Sequence, residues 1–332
     1  MKFGASAAQW AGSPARQPRW GARAGSVAII IGLGVCLTGC SYLNEVRAMK
    51  ASKDANKLYS GSDYKQAADK YEEALRLNPA NGDLYFYLGN SYDNLYRPTR
   101  KGEPNNDAYL AKAITNYKLG SEKANTPIVK QRSLQYLVNA YGPEKLNDPT
   151  QAEPVVKAMI DLEPNEPTNY FVLADIYADS GEYELSEQTY LKAKEVRPND
   201  PAVYMQLAGF YNSQGDFDKT INAVQERTKV EPNNPEAYQT LATYYWDKAY
   251  RDFRLSDKEK LQYVLSGLDA VDKAISIKSD YMEAVAYKNL LLRLEANLEK
   301  DPAKQQALLR QADQLRDKAE ALRKQKASGT SE

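Results

Sequence analysis

PNEPTNYFVLADIYADSGEYELSEQTYLKAKEVRP, residues 164–198, carries the pattern from which the architecture of this 332-residue chain follows. The stretch begins and ends on proline, and Pro164, Pro198 and Pro232 are each 34 residues apart. After each proline, a tyrosine, a leucine, an alanine and a second tyrosine recur at the same distances: Tyr170, Tyr204 and Tyr238; Leu173, Leu207 and Leu241; Ala174, Ala208 and Ala242; Tyr177, Tyr211 and Tyr245. A fixed period of this length predicts an array of equal structural units.

Proline, glycine and helix-capping residues predict two helices in each unit. Each unit opens on Pro-Asn-x-Pro, in which the first proline stops one helix and the second suits the first position of the next. Asp200 and Asn234 precede that second proline and are good helix N-caps. Gly181 and Gly215 can take the left-handed conformation that ends a first helix. The alanines are small because two helices must approach closely there.

This pattern resembles the tetratricopeptide repeat (TPR), a helical hairpin with an aromatic, leucine, small residue and tyrosine in its first helix. The resemblance implies an all-α superhelix, because one hairpin cannot bury its apolar face without its neighbours. Six repeats and a terminal region are expected, at 48–81, 82–127, 128–166, 167–200, 201–234, 235–281, then capping helices at 282–326 and a loose tail at 327–332.

Two insertions interrupt the regular spacing. The second repeat carries 12 extra residues and the sixth carries 13, counted between the tyrosine of the first helix and the matching position of the second. The first insertion, 96–107, is predicted to be a surface loop because it contains Pro98, Gly102, Pro104, Asn105 and Asn106. The second, 247–260, ends at Ser256 and Glu259, whose spacing predicts a capping box that opens a helix.

The last helix has an apolar stripe with a 4-3-4-3 spacing. Its members are Leu308, Ala312, Leu315, Ala319 and Leu322. A terminal helix that covers the end of the array is the preferred interpretation, since a solenoid needs a polar outer face to stay soluble. A coiled-coil dimer is the alternative, although two heptads fall short of the three or four that would support one.

The first 39 residues are typical of an export signal. They contain no acidic residue, carry Lys2, Arg16, Arg19 and Arg23, and include an apolar run at 27–37. The run ends in Leu37-Thr38-Gly39-Cys40, which resembles the lipobox of bacterial lipoproteins. That resemblance implies cleavage of 1–39, a diacylglyceryl group on the Cys40 sulfur and a short tether at 40–47. A single anchor helix is the alternative, but spanning a bilayer needs roughly 20 apolar residues.

The lipobox also implies a location. A lipoprotein of this kind is anchored in the cell envelope and faces the periplasm. Ser41 follows the cysteine, and in enterobacterial sorting an aspartate there would retain the protein at the inner membrane. The outer membrane is therefore the expected site. The alternative is that Cys40 is a small apolar residue near a cleavage site and carries no lipid.

Composition excludes several functions for the chain that follows the leader. Removing the four basic leader residues leaves 40 basic and 44 acidic residues, which does not suit nucleic-acid binding. Histidine is absent and no cysteine follows Cys40, so histidine or thiol catalysis, Cys/His metal sites and disulfides are excluded. No cofactor or metal is expected. We predict no enzyme, although carboxylate or Ser–Lys chemistry remains the weakest alternative.

In proteins of the resembled family, the first helix of each hairpin lines a concave groove that binds a peptide or protein. The residue after the opening aromatic, and those five and eight positions beyond that aromatic, face the groove. Carried onto this sequence, these are Phe86, Asn90, Asp93, Phe171, Asp175, Ala178, Met205, Gly209, Asn212, Gln239, Thr243 and Trp246. A residue at any one of these positions is more often a solvent-exposed side chain without a binding role than a binding hot spot. Chaperone-binding relatives hold the two carboxylates of a ligand's C-terminus with paired lysine and asparagine at these positions. That lysine is absent here, which disfavours acidic C-terminal tails as ligands.

Two functions remain open at the level of sequence. The first is a periplasm-facing, lipid-anchored adaptor that binds partner proteins or peptides in its groove, for the assembly of a cell-envelope complex. The second is an accessory subunit of a secretion or polysaccharide export machine. A carboxylate-based envelope hydrolase is the least favoured function.

Overall fold

The computed structural model describes the backbone of residues 24–328 and the side chains of residues 42–328. Within that part the chain forms α-helices, one short 3-10 helix at Pro98–Arg100 and no strand, which confirms the predicted all-α fold. The α-helices are α1 Ala24–Ser60, α2 Tyr64–Leu77, α3 Asp83–Leu95, α4 Pro104–Lys123, α5 Pro127–Tyr141, α6 Pro149–Leu162, α7 Pro167–Asp179, α8 Tyr183–Val196, α9 Pro201–Ser213, α10 Phe217–Val230, α11 Pro235–Arg251, α12 Asp257–Ile277, α13 Met282–Leu298 and α14 Pro302–Ala327.

Successive helices pack as hairpins. The pairs α1–α2, α3–α4, α7–α8, α9–α10, α11–α12 and α13–α14 are in extensive contact. Each of the six segments expected to form a repeat contains parts of two consecutive helices, although α1 begins well before residue 48 and α5 begins at Pro127. The chain divides into two compact units, the first reaching Val129 and the second starting at Lys130.

The predicted helix ends are confirmed. The Asp200 side chain accepts a hydrogen bond from the Ala202 backbone N–H at 2.9 Å, and Asn234 accepts one from Glu236 at 3.0 Å. A proline occupies the first turn of both helices, where no backbone N–H is needed. The glycines that end α7 and α9 lie in the left-handed region, with φ of +79° at Gly181 and +74° at Gly215.

The fixed spacing of proline and tyrosine has a direct cause. A tyrosine six residues after each proline donates its hydroxyl proton to the carbonyl oxygen of that proline. These bonds are Tyr170 to Pro164 at 2.9 Å, Tyr204 to Pro198 at 2.6 Å and Tyr238 to Pro232 at 3.2 Å. Each tyrosine therefore holds its own helix onto the turn that precedes it.

The second recurring tyrosine of each first helix joins neighbouring repeats. The Tyr177 hydroxyl donates to Glu153 of α6 at 2.9 Å, and the Tyr211 hydroxyl donates to Glu187 of α8 at 2.9 Å. In both cases the acceptor lies on the second helix of the preceding hairpin. The stacking that the repeat requires is thus reinforced by a polar bond at these two junctions.

The loop prediction for 96–107 is wrong at its end, because α4 already begins at Pro104. Pro104 occupies the first turn, and Asn106 is buried instead of solvated. The Asn106 amide oxygen accepts the Arg97 backbone N–H at 2.8 Å, and its amide nitrogen donates to the carbonyls of Arg97 and Arg100 at 3.0 Å. These bonds satisfy the turn from within, so the insertion lengthens a helix to 20 residues.

The second insertion also lengthens helices. Helix α11 has 17 residues and α12 has 21, against 13 and 14 in α7 and α8. The predicted capping box of Ser256 and Glu259 is present in both directions. Between the helices, Asp252 accepts from Lys248 at 2.9 Å and from Arg254 at 2.8 Å, and these cations hold the pKa of the Asp252 carboxyl far below its usual range.

The terminal helix uses its apolar stripe within the chain. Ala312 and Ala319 are buried, and α14 packs on α13. Arg293 pairs with Asp313 at 2.6 Å, and the Gln305 amide donates to the Ala296 carbonyl at 2.9 Å. This packing favours the capping interpretation over a coiled-coil dimer. Helix α14 runs to Ala327, and most of the predicted tail lies outside the described residues.

At the other end, α1 is continuous from Ala24 to Ser60. The segment 40–47, expected to be a tether, is therefore helical and enters the first repeat without a break. No glycine or proline occurs between residues 41 and 60 to interrupt it. Residues 1–23 of the predicted leader, and the side chain of Cys40, lie outside the described residues. Among the residues described, none of the helices has the length and apolarity to cross a membrane.

Candidate functional site

A cleft of about 480 Å³ opens in the second unit between α5 and α7. Its walls also include α6 and the turn that joins α5 to α6. Three aliphatic side chains, Val138, Val172 and Ile176, line it together with three carboxylates. These are Glu144, Asp175 and Asp179. The cleft thus combines an apolar surface with negative charge.

One face of α7 forms a wall of this cleft. Val172, Asp175, Ile176 and Asp179 follow the spacing i, i+3, i+4, i+7, which places them in one row along a helix. Val172 and Ile176 are half-buried and pack against the small core of Val156, Leu173 and Tyr177. Because that core supports them from behind, the apolar part of the wall has a defined shape.

Asp175 is the most constrained of the carboxylates. It accepts a hydrogen bond from the Tyr190 hydroxyl of α8. Asp175 as a whole is exposed, but its bond to Tyr190 is partly buried. Desolvation of the carboxyl raises its pKa, the Tyr190 bond lowers it, and the neighbouring Asp179 raises it again, with a net upward shift. The ionised form of Asp175 is therefore disfavoured in the isolated protein.

The bond to Asp175 belongs to a recurring polar contact inside the hairpins. In the first unit the Tyr71 hydroxyl donates to the Asn56 amide oxygen at 2.6 Å, 15 residues away as in the Tyr190–Asp175 pair. In the next hairpin the Tyr117 hydroxyl donates to Asp93 at 3.1 Å. A second-helix tyrosine thus fixes a polar side chain of the first helix in three repeats.

The residues predicted to line the groove divide into buried and accessible ones. Phe86, Asn90 and Phe171 are buried: Phe86 packs on Tyr117 at 6.1 Å between ring centroids, and Phe171 packs on Tyr190 at 6.2 Å. Asp175 and Asn212 are exposed, and a third group is partly exposed: Asp93, Met205, Gln239, Thr243 and Trp246. The binding role of these residues stays a prediction, and the accessible ones are its candidates.

Most of the cleft wall lies at positions that the repeat register did not predict to face the groove. Positions one, five and eight beyond the opening aromatic gave Asp175 but not Val172, Ile176 or Asp179, which lie two, six and nine positions beyond it. The offset arises because Phe171 turns inward to Tyr190 and the next row of side chains faces outward. The sequence did offer one indication of this wall. Val172 and Ile176 are aliphatic, lie four residues apart and occupy positions that are not core positions in the repeat pattern.

A second accessible surface lies on α11 and α13. The Trp246 ring stacks on Tyr250 at 5.0 Å between centroids and meets Tyr287 edge-on at 5.9 Å. Tyr250 is exposed, and so is Phe253, which follows Asp252 in the turn that this carboxylate holds. This surface is aromatic rather than acidic, so the two surfaces suit different side chains of a partner.

Comparison with known proteins supports the same architecture. Residues 55–95 match a TPR repeat model and residues 167–200 match a tetratricopeptide repeat model. The C-terminal part of a TPR repeat-containing protein from Cytophaga hutchinsonii shares 16% identity with this chain at a TM-score of 0.51, over 79% of this chain and 94% of that one. A tetratricopeptide repeat protein from Parabacteroides merdae shares 13% identity with this chain at a TM-score of 0.43, and the match covers 80% of this chain and 98% of that one.

No curated protein matches the chain. The structural likeness to the Cytophaga protein concerns the fold alone at this level of identity. Together with the two matched segments and the all-helical hairpins, it identifies the fold. The chain is an all-α solenoid of the TPR type, a scaffold suited to protein–protein interaction.

Proposed function

We propose that this protein is a lipid-anchored scaffold of the cell envelope, which faces the periplasm and binds a partner protein through the cleft between α5 and α7. One observation carries the proposal: the cleft holds Asp175 and Asp179 beside the aliphatic surface of Val172 and Ile176. Partly exposed aliphatic groups, and carboxylates without a cationic partner in the described part of the chain, suit in one concavity a ligand that supplies both an apolar and a basic group.

The chemistry of the cleft favours one class of partner. An aliphatic side chain of the partner would contact Val138, Val172 and Ile176, and removal of that apolar area from water would supply most of the affinity. A lysine or arginine beside it would face Asp175 and Asp179, which sets orientation and association rate. The expected ligand is thus an extended basic–aliphatic segment of an envelope protein.

The raised pKa of the Asp175 carboxyl, which lines the cleft, supports a binding role in addition to its bond with Tyr190. Because its folded-state pKa is raised above the unfolded value of about 3.9, the protein loses stability as the pH rises through the interval between the two values. At neutral pH the charge on Asp175 therefore opposes folding. A cationic partner would reverse that cost, as is common for perturbed carboxylates at functional sites.

Asp175→Asn and Ile176→Arg test the cleft. Each is expected to weaken binding of basic–aliphatic peptides, selected on the purified protein from a random peptide library, by about tenfold, or 1.4 kcal/mol. Asp175→Asn should unfold at the same or a higher urea concentration than wild type at pH 7, because it removes the disfavoured charge while an amide oxygen still accepts from Tyr190. Binding is measured by fluorescence anisotropy.

The matched control is Asp218→Asn, which removes an exposed carboxylate from α10, on a second helix. It should leave peptide binding unchanged. Selection of acidic peptides, or equal affinities of all three variants and wild type, would remove the cleft from the proposal.

The anchor is tested separately at Cys40. Cys40→Ala is expected to abolish incorporation of labelled palmitate and to release the protein from the membrane fraction. An outer-membrane location, expected from Ser41, is measured by separating inner and outer membranes on a density gradient. Equal palmitate labelling of wild type and Cys40→Ala would show that this cysteine carries no lipid.

A further inference from the structure

A stripe of apolar side chains is exposed on the first described turns of α1. Tyr42 is 68% exposed, Leu43 56%, Val46 42% and Met49 59%. Their spacing brings them to one side of the helix. Four large apolar residues exposed together are a contiguous patch, unlike the isolated apolar residues that any protein surface carries.

The orientation of the stripe is fixed by the opposite face of the same helix. Ala48, Ala51 and Ala55 are buried, and α1 packs against α2. Asn56, which follows them, accepts the hydrogen bond from Tyr71 of α2. Turning the stripe inward would expose these alanines and break that contact, so the apolar side stays directed outward.

The same side of the helix becomes basic further along. Lys50, Lys53 and Lys57 are exposed, and at 100° per residue they share an arc of about 100° with Tyr42, Val46 and Met49. Of the three, Lys50 lies close enough to Glu73 of α2 to contribute to the lowered pKa of that carboxyl. One helical face therefore changes from apolar to cationic with increasing distance from residue 40.

We infer that residues 42–57 of α1 rest on a phospholipid surface with anionic headgroups. The apolar stripe enters the boundary between headgroups and acyl chains, and the lysines contact the phosphates. This inference rests on the proposed acylation of Cys40, which would place Tyr42 only about 3 Å further along the helix axis than the lipid-bearing residue. A partner protein would not by itself require the order apolar then basic along the helix.

The consequence is a rigid attachment. Because α1 passes without a break from the proposed acylation site into the first hairpin, contact with lipid would set the tilt of the first unit on the membrane. A flexible tether would leave that unit free to rotate. The helix thus determines the direction in which the first hairpins face.

The test uses the mature acylated protein with Met49→Cys, whose thiol is the only free one because Cys40 is blocked by lipid. The thiol is labelled with an environment-sensitive nitrobenzoxadiazole dye, and the protein is reconstituted in vesicles of phosphatidylethanolamine and phosphatidylglycerol. We expect lipids that carry a doxyl quencher near the headgroup to quench this dye at least about threefold more than the same dye at Leu265→Cys. Leu265 is a matched control on α12, at 50% exposure.

Replacing Lys50, Lys53 and Lys57 together by glutamine should reduce the quenching, as should vesicles of phosphatidylcholine alone. Equal quenching at positions 49 and 265 in protein that labels with palmitate and floats with vesicles would overturn the inference and leave the anchor intact. Protein that neither labels nor floats would overturn the anchor and the inference together.

Discussion

Gly82→Ala is expected to lower the free energy of unfolding of the first unit by about 3 kcal/mol, at the upper end for overpacked sites. A Cβ atom at this position would lie 1.7 Å from the Lys123 carbonyl oxygen and 2.4 Å from its carbon. Both are backbone atoms, so no side-chain rotation relieves the clash. Gly82 has a helical φ of −61°, which means that the cost is steric and not conformational.

The surrounding contacts prevent an easy shift of the chain. The Gly82 N–H donates to the Asn125 amide oxygen at 2.8 Å, and the Asp83 carboxylate accepts the backbone N–H groups of Asn125 at 2.7 Å and Thr126 at 3.1 Å. These bonds join the start of α3 to the end of α4. An alanine must therefore break several of them or distort both helix ends.

Gly209→Ala is the matched control, because an added Cβ would meet no atom within 4 Å apart from its chain neighbours and the backbone of its own helix, α9. Alanine is favoured over glycine in a helix interior by about 1 kcal/mol, so this variant should be more stable than wild type. Urea unfolding followed by far-ultraviolet circular dichroism measures both. Equal midpoints for the two variants would show that the approach of Gly82 to Lys123 is not maintained in solution.

The contrast between these glycines shows what the sequence could predict. Gly181 and Gly215 recur in register after a helical pattern, so their left-handed conformation was predictable from local spacing. The contact of Gly82 with residue 123 spans the first insertion, and no repeat elsewhere supplies a template for it. Local spacing therefore predicts the hairpins, whereas a contact peculiar to one inserted repeat depends on how α3 packs against α4.

The same division applies to the candidate site. Asp175 was predictable because its position in the hairpin is regular and its partner Tyr190 belongs to the repeat. The inward turn of Phe86 and Phe171 was not, because each depends on the volume left beside a tyrosine of the second helix. Aligning a helix by its recurring residues gives its register, but the row of side chains left accessible depends on packing.

Tyr117→Ala is expected to destabilise the first unit by about 4 kcal/mol, which is typical of removing a buried aromatic ring. The ring is fully buried and packs against Phe86 at 6.1 Å between centroids. It also lies 2.9 Å from the place where a Cβ of Gly89 would be, so α3 approaches α4 over this ring. Alanine would leave a cavity that neither helix can close without losing its contacts with the neighbouring hairpin.

Tyr117→Phe separates the ring from the hydroxyl. It keeps the packing but removes the donor to Asp93 at 3.1 Å and the acceptor of the Asn90 amide at 3.4 Å, so a loss of about 1 kcal/mol is expected. Similar losses for the two variants would assign the stability to the polar contact instead of the ring.

The unfolding of the second unit can be followed separately from that of the whole chain. Trp246 is the only tryptophan after Cys40, so its fluorescence reports on the second unit, while circular dichroism reports on the whole chain. In a solenoid each repeat is stabilised mainly by its immediate neighbours, and a defect in the second hairpin should weaken with distance. Tyr117→Ala should therefore shift the dichroism transition more than the Trp246 transition. Identical shifts would mean that the chain unfolds as one cooperative body, in which any hairpin limits the stability of the cleft between α5 and α7.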